Sequence, residues 1–281
     1  MISRKIEEKI LLERLVKKEI AKTCDRLAAF HKDLENADNA ETERIKADTL
    51  MANLYKIKKG DNQINLPSIY NNENLTIQLD PKLTPTENTE KYYKRYNKFK
   101  RAKIELKKQI EDAEKLKIYL ESVDVSLATS ETKNEIAEIN EELQTAGIIK
   151  LGKKKKQNTE ASKPLHLHLE NAEIYIGKNN KQNDFVTFKI AKANDLWFHV
   201  KNIPGSHVIL QGEADEKNIY LAELLAAWFS KARNGSNIPV DMVQKKFVKK
   251  PNSSPPGFVI FTNNHTDYIN IDEEEIKKLL A

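Results

Sequence analysis

Hydrophobic residues in the first 58 positions recur at steps of three and four, which is the spacing of one face of an α-helix. Ile20, Cys24, Leu27 and Leu34 follow this spacing, and no proline or glycine occurs before Gly60. The pattern predicts one long helix of a coiled coil or helical hairpin. We expect the helix to end at Gly60, because glycine adopts the left-handed backbone that caps helices.

A second helical pattern begins after residue 83 with a full set of start signals. Thr84 is suited to cap the helix, Pro85 to its first turn, and Glu87 to a capping box with Thr84. Nine positions from 92 to 120 alternate by four and three, and seven of them are apolar or aromatic. These features predict a long antiparallel coiled coil of two helices. We expect a break near residues 122–130 and a shorter helix over residues 131–146.

Residues 61–83 are rich in Asn and Pro, and short alternating pieces such as LTIQL predict a small β element at the tip of the coiled coil, at about residues 59–90.

From Pro164 the pattern of hydrophobic and polar residues predicts both strands and helices. Strands are predicted in LHLHLE, AEIYIG, LWFHV, HVIL, VDMVQKKFVKK, GFVIFT and DYINI, and helices in NNKQNDFVTFKIA, EKNIYLAELLAAWFSKAR and DEEEIKKLL. The predicted fold class is α+β, with a coiled-coil arm over residues 1–146, a basic linker over 147–163 and a compact α+β domain over 164–281.

Charge is distributed unevenly along the chain, whose net charge is +5. Residues 1–146 contain 27 basic and 27 acidic side chains, whereas residues 147–281 contain 20 and 15. The basic excess of the second part indicates a polyanionic partner. The sequence has no apolar run long enough for a membrane span, no signal-peptide core and one cysteine. We therefore expect a cytoplasmic protein without a disulfide or a membrane partner.

The stretch NDLWFHVKNIPGSHVIL, residues 194–210, is unusually rich in chemically active side chains. In a strand, Leu196, Phe198 and Val200 fall on one face, which we expect to be the core side. Asp195, Trp197 and His199 then fall on the other face, beside a Pro-Gly turn.

This second face is predicted to be a binding surface, because indole and imidazole rings stack on bases and cationic side chains meet phosphate. A basic ridge in QKKFVKKP strengthens the prediction: as a strand, it would place lysines on both sides of an edge ribbon. The candidate RNA-binding residues are Asp195, Trp197, His199, Lys201, Ser206, His207, Lys245, Lys246, Lys249 and Lys250.

Several alternatives remain open at this point. One alternative places Trp197 in the core, with the histidines hydrogen-bonded to backbone groups. Another is that the lysines protect a sheet edge from pairing with other chains. Lys153–Lys156 in the linker suit either phosphate contact or solubility. A catalytic set of Ser206, a histidine and Asp195 lacks a nucleophile elbow, and a metal site at His199 and His207, with His166 or His168, lacks ligand spacing. The absence of a phosphate-binding glycine pattern argues against a nucleotide-using enzyme, and we expect no cofactor and no metal.

The same residues resemble a known family. DLWFHVKNIPGSHVIL, LAELLAAWFSKAR, IPVDMVQKKFVKKP and PPGFVIF are similar to the RNA-binding NFACT-R domain, and LMANLYKIKKG, IQLDPKLTPTEN and KYYKRYNKFKRA resemble the coiled-coil region of the same family. The resemblance spans nearly the whole chain. It implies a factor of bacterial ribosome quality control that is not an enzyme. Such a factor binds the large ribosomal subunit carrying peptidyl-tRNA, recruits tRNA and supports C-terminal alanine tailing.

In that picture the coiled coil is an arm whose tip contacts the subunit, and the Asp195, Trp197, Phe198 and His199 motif lies in the RNA-binding domain. The family also includes proteins named for fibronectin binding, so a surface-exposed adhesin exported by an unconventional route is the alternative function. Family members carry further domains before the coiled coil, so we expect this chain to be a C-terminal fragment. The family's glycine in the loop after Lys250 is replaced by Asn252-Ser253-Ser254, which leaves the shape of that loop open.

Overall fold

The computed structural model describes residues 2–71, 73–150, 161–252 and 254–281. It divides into two compact units. One unit comprises Met1–Lys22 and Leu116–Ala281, and the other comprises Thr23–Lys115. Lys153–Lys156, the basic core of the predicted linker, lie outside the described residues.

The predicted first helix is present but is shorter than the sequence pattern suggests. Helix α1 covers Ile2–Ala37, a turn follows at Asp38 and Asn39, and α2 covers Ala40–Ala52. The prediction of a cap at Gly60 is wrong, because α2 ends at Ala52 and a 3₁₀ turn precedes the glycine. Gly60 does adopt a positive φ of 103°, but it does so in the turn that leads into the next strand.

The predicted β element is a hairpin of β1 (Gln63–Pro67) and β2 (Asn74–Gln78), paired antiparallel. Leu66 and Ile77 pack against Leu50 of α2 and Tyr92 of the following helix. The Tyr92 hydroxyl donates a 2.6 Å hydrogen bond to the Gln78 carbonyl oxygen, so its polar end is satisfied within the core. Each fully buried aliphatic side chain of this size contributes about 1.5–3 kcal/mol.

Helix α3 spans Pro85–Thr129, and its predicted capping box is confirmed. The Glu87 amide donates to Thr84 Oγ1 at 3.3 Å, and the Thr84 amide donates to Glu87 Oε2 at 2.7 Å. The helix continues through most of the range 122–130 in which a break was predicted. The break lies at residues 130–132, and α4 covers Lys133–Thr145. Pairing of α1 with α3 along their whole length, as a coiled coil ending in the hairpin, stays a prediction.

In the larger unit, α4 packs against the first part of α1 and the last part of α3. The buried contacts are Leu12, Val16, Tyr119, Leu120, Val123, Leu127, Ile136, Ile139 and Leu143. Residues 116–145 therefore share a compact unit with the sheet described next, across the predicted boundary at residue 146.

The C-terminal part is built on a six-stranded antiparallel sheet in the order β10-β7-β5-β6-β4-β3. Its strands are β3 (Leu165–His168), β4 (Ala172–Ile176), β5 (Leu196–Val200), β6 (Val208–Gly212), β7 (Ile238–Gln244) and β10 (His265–Ile269). The short strands β8 (Val248–Lys249) and β9 (Ile260–Phe261) form a separate antiparallel pair.

One face of the sheet packs against α6 (Glu216–Trp228) and α7 (Glu273–Leu280), as the alternation of LWFHV predicts for Phe198 and Val200. The other face is covered as well. Its cover consists of α5 (Asn180–Phe185), a π-helical turn (Val186–Ile190), a 3₁₀ turn (Lys245–Phe247) and β8 and β9. The sheet is therefore the middle layer of three at its centre.

Candidate nucleic-acid interface

Trp197 lies at the centre of the second face and is fully buried, with 0% of its surface exposed. It is flanked in the sheet by Ile209 of β6 and Val243 of β7, and Phe261 of β9 lies 5.0 Å from it between ring centres. The prediction that Trp197 is presented for stacking is therefore wrong. Strand alternation places it on the second face correctly, but a layer of the same chain covers that face.

His207 and Ser206 are also buried. His207 Nδ1 lies 2.8 Å from Thr187 Oγ1 in the π-helical turn, and its amide donates to Asn183 Oδ1 at 2.9 Å. Burial, with the neighbouring His199 ring as a smaller contribution, holds the pKa of His207 well below its usual value. His207 thus fixes the cover of the sheet, whereas the Ser206 amide donates to the Phe229 carbonyl oxygen at 2.9 Å. Both residues are buried, so direct RNA contact by either is contradicted.

His199 is only partly buried, and its ring lies 5.6 Å from that of Trp197 and 5.4 Å from that of His207. Burial lowers the pKa of His199 to about 4, although the nearby Asp241 carboxylate acts in the opposite direction. The imidazole is therefore neutral at physiological pH. Both pKa shifts oppose a charged imidazole, and RNA contact by the partly exposed His199 stays a prediction.

Asp195 anchors the turn that enters β5. Its Oδ2 accepts a 2.7 Å hydrogen bond from the Lys192 amide and a second bond from the Gln211 side chain. Its carbonyl oxygen accepts from the Lys245 amide at 2.9 Å. Asp195 thus holds together the turn before β5 and the 3₁₀ turn after β7.

Lys201 belongs to a polar row that includes an acid the sequence reasoning missed. Asp241 is buried in β7, opposite His199 of β5 and Thr266 of β10. Its Oδ1 accepts from Thr266 Oγ1 at 2.6 Å and from Asn264 Nδ2 at 2.9 Å, and Lys201 Nζ lies 3.9 Å away. The signal in the sequence was an acid between apolar residues in IPVDMV.

The four lysines of QKKFVKKP do not form a two-sided strand, because β7 ends at Gln244 and Lys245–Phe247 form a 3₁₀ turn. The edge-ribbon prediction is wrong, since Phe247 turns into the cover of Trp197 and interrupts the alternation. Lys245 Nζ lies 5.6 Å from the centre of the Phe188 ring, and Lys246 Nζ lies 5.2 Å from that of Phe247. Lys246, Lys249 and Lys250 are exposed, and Lys250 forms an ion pair with Asp184.

A basic and aromatic surface also occurs in the smaller unit, beside the hairpin. Tyr55 is 81% exposed, and Lys56 Nζ lies 5.4 Å from the centre of its ring. Lys58 and Lys59 follow directly and are exposed. An exposed tyrosine among lysines is the composition of a site that stacks a base and contacts phosphate.

Two family descriptions match the chain. "NFACT N-terminal and middle domains" matches residues 3–162, and "NFACT protein RNA binding domain" matches residues 166–254. No helix in the described part of the chain has the length and apolar character needed to cross a membrane.

Curated relatives and a solved structure agree with these matches. The chain is 36% identical over 277 residues to "Rqc2 homolog RqcH" of Bacillus subtilis and 37% identical over 273 residues to the protein of that name from Streptococcus pneumoniae D39. These alignments cover 95% of this chain and 48% and 49% of the relatives, so the chain spans about half of their length. The solved C-terminal part of the fibronectin/fibrinogen-binding protein from Streptococcus suis is similar with a TM-score of 0.77 and 31% identity, covering 98% of this chain and 99% of that one.

Proposed function

Because the chain belongs to the NFACT family, we propose that it is the RNA- and ribosome-binding part of a cytoplasmic ribosome quality-control factor. In this proposal it binds stalled large ribosomal subunits that carry peptidyl-tRNA and supports tRNA-dependent alanine tailing of the nascent chain. Its partners are then the large subunit, ribosomal RNA and tRNA. The match of residues 166–254 to an RNA-binding domain is the finding that supports this function most directly.

The RNA-contacting residues that we propose are lysines at the surface. Lys246 and Lys249 are exposed, and no carboxylate in the described residues forms an ion pair with either of them. Lys201 and Lys250, by contrast, already lie beside Asp241 and Asp184. An ammonium group without an internal counter-charge gains most from a phosphate, because no existing pair has to be broken. We therefore assign the main phosphate contacts of this domain to Lys246 and Lys249.

The test is binding of the full chain to large ribosomal subunits and to tRNA at two salt concentrations. Phosphate contacts require the affinity to fall as salt rises. Lys246→Ala with Lys249→Ala should weaken binding and flatten the salt dependence by about one unit of slope for each lysine that touches a phosphate. A matched control is Lys277→Ala with Lys278→Ala, two exposed lysines of α7 that pair with Glu273 and Glu275.

Equal weakening by both double variants would indicate a general charge effect and contradict the assignment. No binding of the parent chain at low salt would contradict RNA binding by this part of the protein. Alanine tailing is tested with the same lysine changes in the full-length protein, by measuring C-terminal alanine on products of stalled ribosomes.

We assign a second contact to the surface formed by Tyr55, Lys56, Lys58 and Lys59. A base stacked on Tyr55 would contribute about 1–3 kcal/mol of binding. Tyr55→Ala should therefore weaken binding to the large subunit without changing stability, because the side chain is 81% exposed. Tyr268→Ala, at a 62% exposed tyrosine of β10, is the matched control. An unchanged affinity of Tyr55→Ala would contradict this contact.

Fibronectin binding is the second candidate, favoured by the similarity to the fibronectin/fibrinogen-binding protein of Streptococcus suis. The experiment is to measure binding of the chain to immobilised fibronectin at low and high salt, and to look for the native protein outside intact cells. Binding that survives high salt, together with surface exposure, would favour this function. Loss of binding at moderate salt would indicate a nonspecific effect of the basic surface.

A further inference from the structure

The edge of the six-stranded sheet carries a cluster of side chains that the RNA-binding function does not use. His166 and His168 are two residues apart in β3, so their side chains point to the same face of the strand. In β4, Tyr175 is paired with His166 and Glu173 with His168. The register therefore brings two imidazoles, one carboxylate and one phenol together on one face at the open edge.

The distances in this cluster match those of a metal centre. His166 Nε2 lies 3.5 Å from Glu173 Oε2, and His168 Nδ1 lies 3.5 Å from Glu173 Oε1. One ligand atom from each of the three residues lies within 4.8 Å of the others. In a tetrahedral zinc site with bonds of about 2.0–2.1 Å, neighbouring ligand atoms are about 3.4 Å apart. We propose that His166, His168 and Glu173 bind a divalent transition-metal ion of the zinc class.

Neighbouring groups hold the proposed ligands in place, as the outer partners of metal sites do. The Tyr175 hydroxyl donates a 2.6 Å hydrogen bond to Glu173 Oε2, which fixes the carboxylate. The His166 ring stacks on Tyr175 with 4.1 Å between centres and 11° between planes. His166 Nε2 is shielded from solvent and has no hydrogen-bond partner among the described residues, so this nitrogen is available to a ligand.

The donor set selects the class of ion. Two imidazoles and one carboxylate suit zinc and its neighbours in the first transition row, whereas Mg²⁺ and Ca²⁺ prefer oxygen ligands alone. Three protein ligands leave the fourth position of a tetrahedral ion to water or to a group from another molecule. Within the described residues, His199 and His207 do not belong to such a group of ligands.

The experiment is a calorimetric titration of zinc into the full, untagged chain carrying Cys24→Ser, which removes the exposed thiol as a competing ligand. We expect one zinc ion per chain and a rise in melting temperature with zinc concentration, since the ion binds the folded state. His168→Gln and Glu173→Gln should each lower the affinity at least about tenfold. His168 is 72% exposed, so its replacement leaves the fold intact.

His265→Gln is the matched control, because His265 is an exposed strand histidine that also lies beside a carboxylate, Asp267, at 3.1 Å. This variant should bind zinc as the parent does. Tyr175→Phe keeps all three ligands but removes the hydrogen bond to Glu173, and it should weaken binding by roughly tenfold. Circular dichroism confirms that each variant is folded.

Two results would overturn the proposal. One is a parent chain that takes up no zinc, and the other is undiminished binding by folded His168→Gln and Glu173→Gln. Magnesium serves as the selectivity control, and binding of magnesium as tight as that of zinc would contradict the assigned class of ion. The proposal does not depend on RNA binding, so the two fail separately.

Discussion

Replacing Glu223 by Gln should stabilise the protein, and the gain should grow as the pH rises. Glu223 lies in α6 on the helix-covered side of the sheet and is 4% exposed. Its Oε1 has no hydrogen-bond partner in the described part of the chain. Burial, and then the nearby carboxylate of Asp267, raise the pKa of Glu223 from 4.5 to about 8.

The magnitude follows from proton linkage. The pKa of Glu223 is higher in the folded state than in the unfolded state. Its ionisation therefore does not lower the unfolding free energy below pH 4.5, but lowers it increasingly as the pH rises toward 8. Each unit of pH between these limits costs about 1.4 kcal/mol. The cost is therefore about 1 kcal/mol near pH 5 and about 3 kcal/mol near pH 7. Glutamine has nearly the same shape and no proton to lose.

The assay is denaturant unfolding of both proteins at several pH values, followed by tryptophan fluorescence. Trp197 and Trp228 both belong to the larger unit, so the signal reports the unit that contains Glu223. His199 and His207 titrate with the opposite sign, because their folded pKa values lie below the usual one. Subtracting the wild-type curve from the variant curve removes their contribution.

The control is Glu213→Gln, which makes the same chemical change at an exposed position just before α6. A Glu223→Gln difference that is flat between about pH 5 and 7.5, or that shrinks as the pH rises, would refute the reasoning. Such a result would mean that the Glu223 carboxylate is solvated in the folded state.

Two further predictions concern stability. Trp197→Ala should cost about 3–5 kcal/mol of unfolding free energy, as large-to-small core changes do. Well below its melting temperature, the variant should retain the salt dependence of RNA binding. A selective loss of RNA affinity at unchanged stability would instead support stacking of RNA on Trp197. Thr132 caps α4, because its Oγ1 accepts a 3.2 Å hydrogen bond from the Glu135 amide. Thr132→Ala should therefore lower the unfolding free energy by about 1 kcal/mol, measured by thermal or denaturant unfolding. The control Thr145→Ala, at an exposed threonine at the other end of α4, should lower it less.

Local signals in the sequence predicted the elements well. The capping box of Thr84 and Glu87 and the alternation of LWFHV depend on neighbours along the chain, and the structure contains both. A break was predicted near residues 122–130, and the structure places it at residues 130–132. The break at Asp38 and Asn39 contains no proline or glycine, so the sequence there carries no helix-breaking residue. Helical spacing alone continues through such a turn, which explains why one long helix was expected.

The errors at the candidate site arose from long-range packing. Alternation assigns Trp197 to the second face of the sheet, but it does not show whether water or another layer lies against that face. The answer depends on Val186 and Phe261, which are distant in sequence. The cluster of His166, His168 and Glu173 was missed for a related reason, because its ligand spacing exists only once β3 is paired with β4 in the observed register.

The acidic helix α4 lies against lysines and amides of the sheet domain. Lys178 forms an ion pair with Glu135, Lys181 Nζ lies 2.6 Å from Glu141 Oε2, and Asn180 Nδ2 donates to Glu142 Oε1 at 2.8 Å. These lysines contribute to the charge counted from the sequence, yet each is paired with an acid of α4. The unpaired positive charge of the sheet domain is therefore smaller than its composition suggests. Removing Glu135 or Glu141 of α4 would leave Lys178 or Lys181 without its counter-charge, so these acids set how much of the positive charge of the sheet domain stays unpaired.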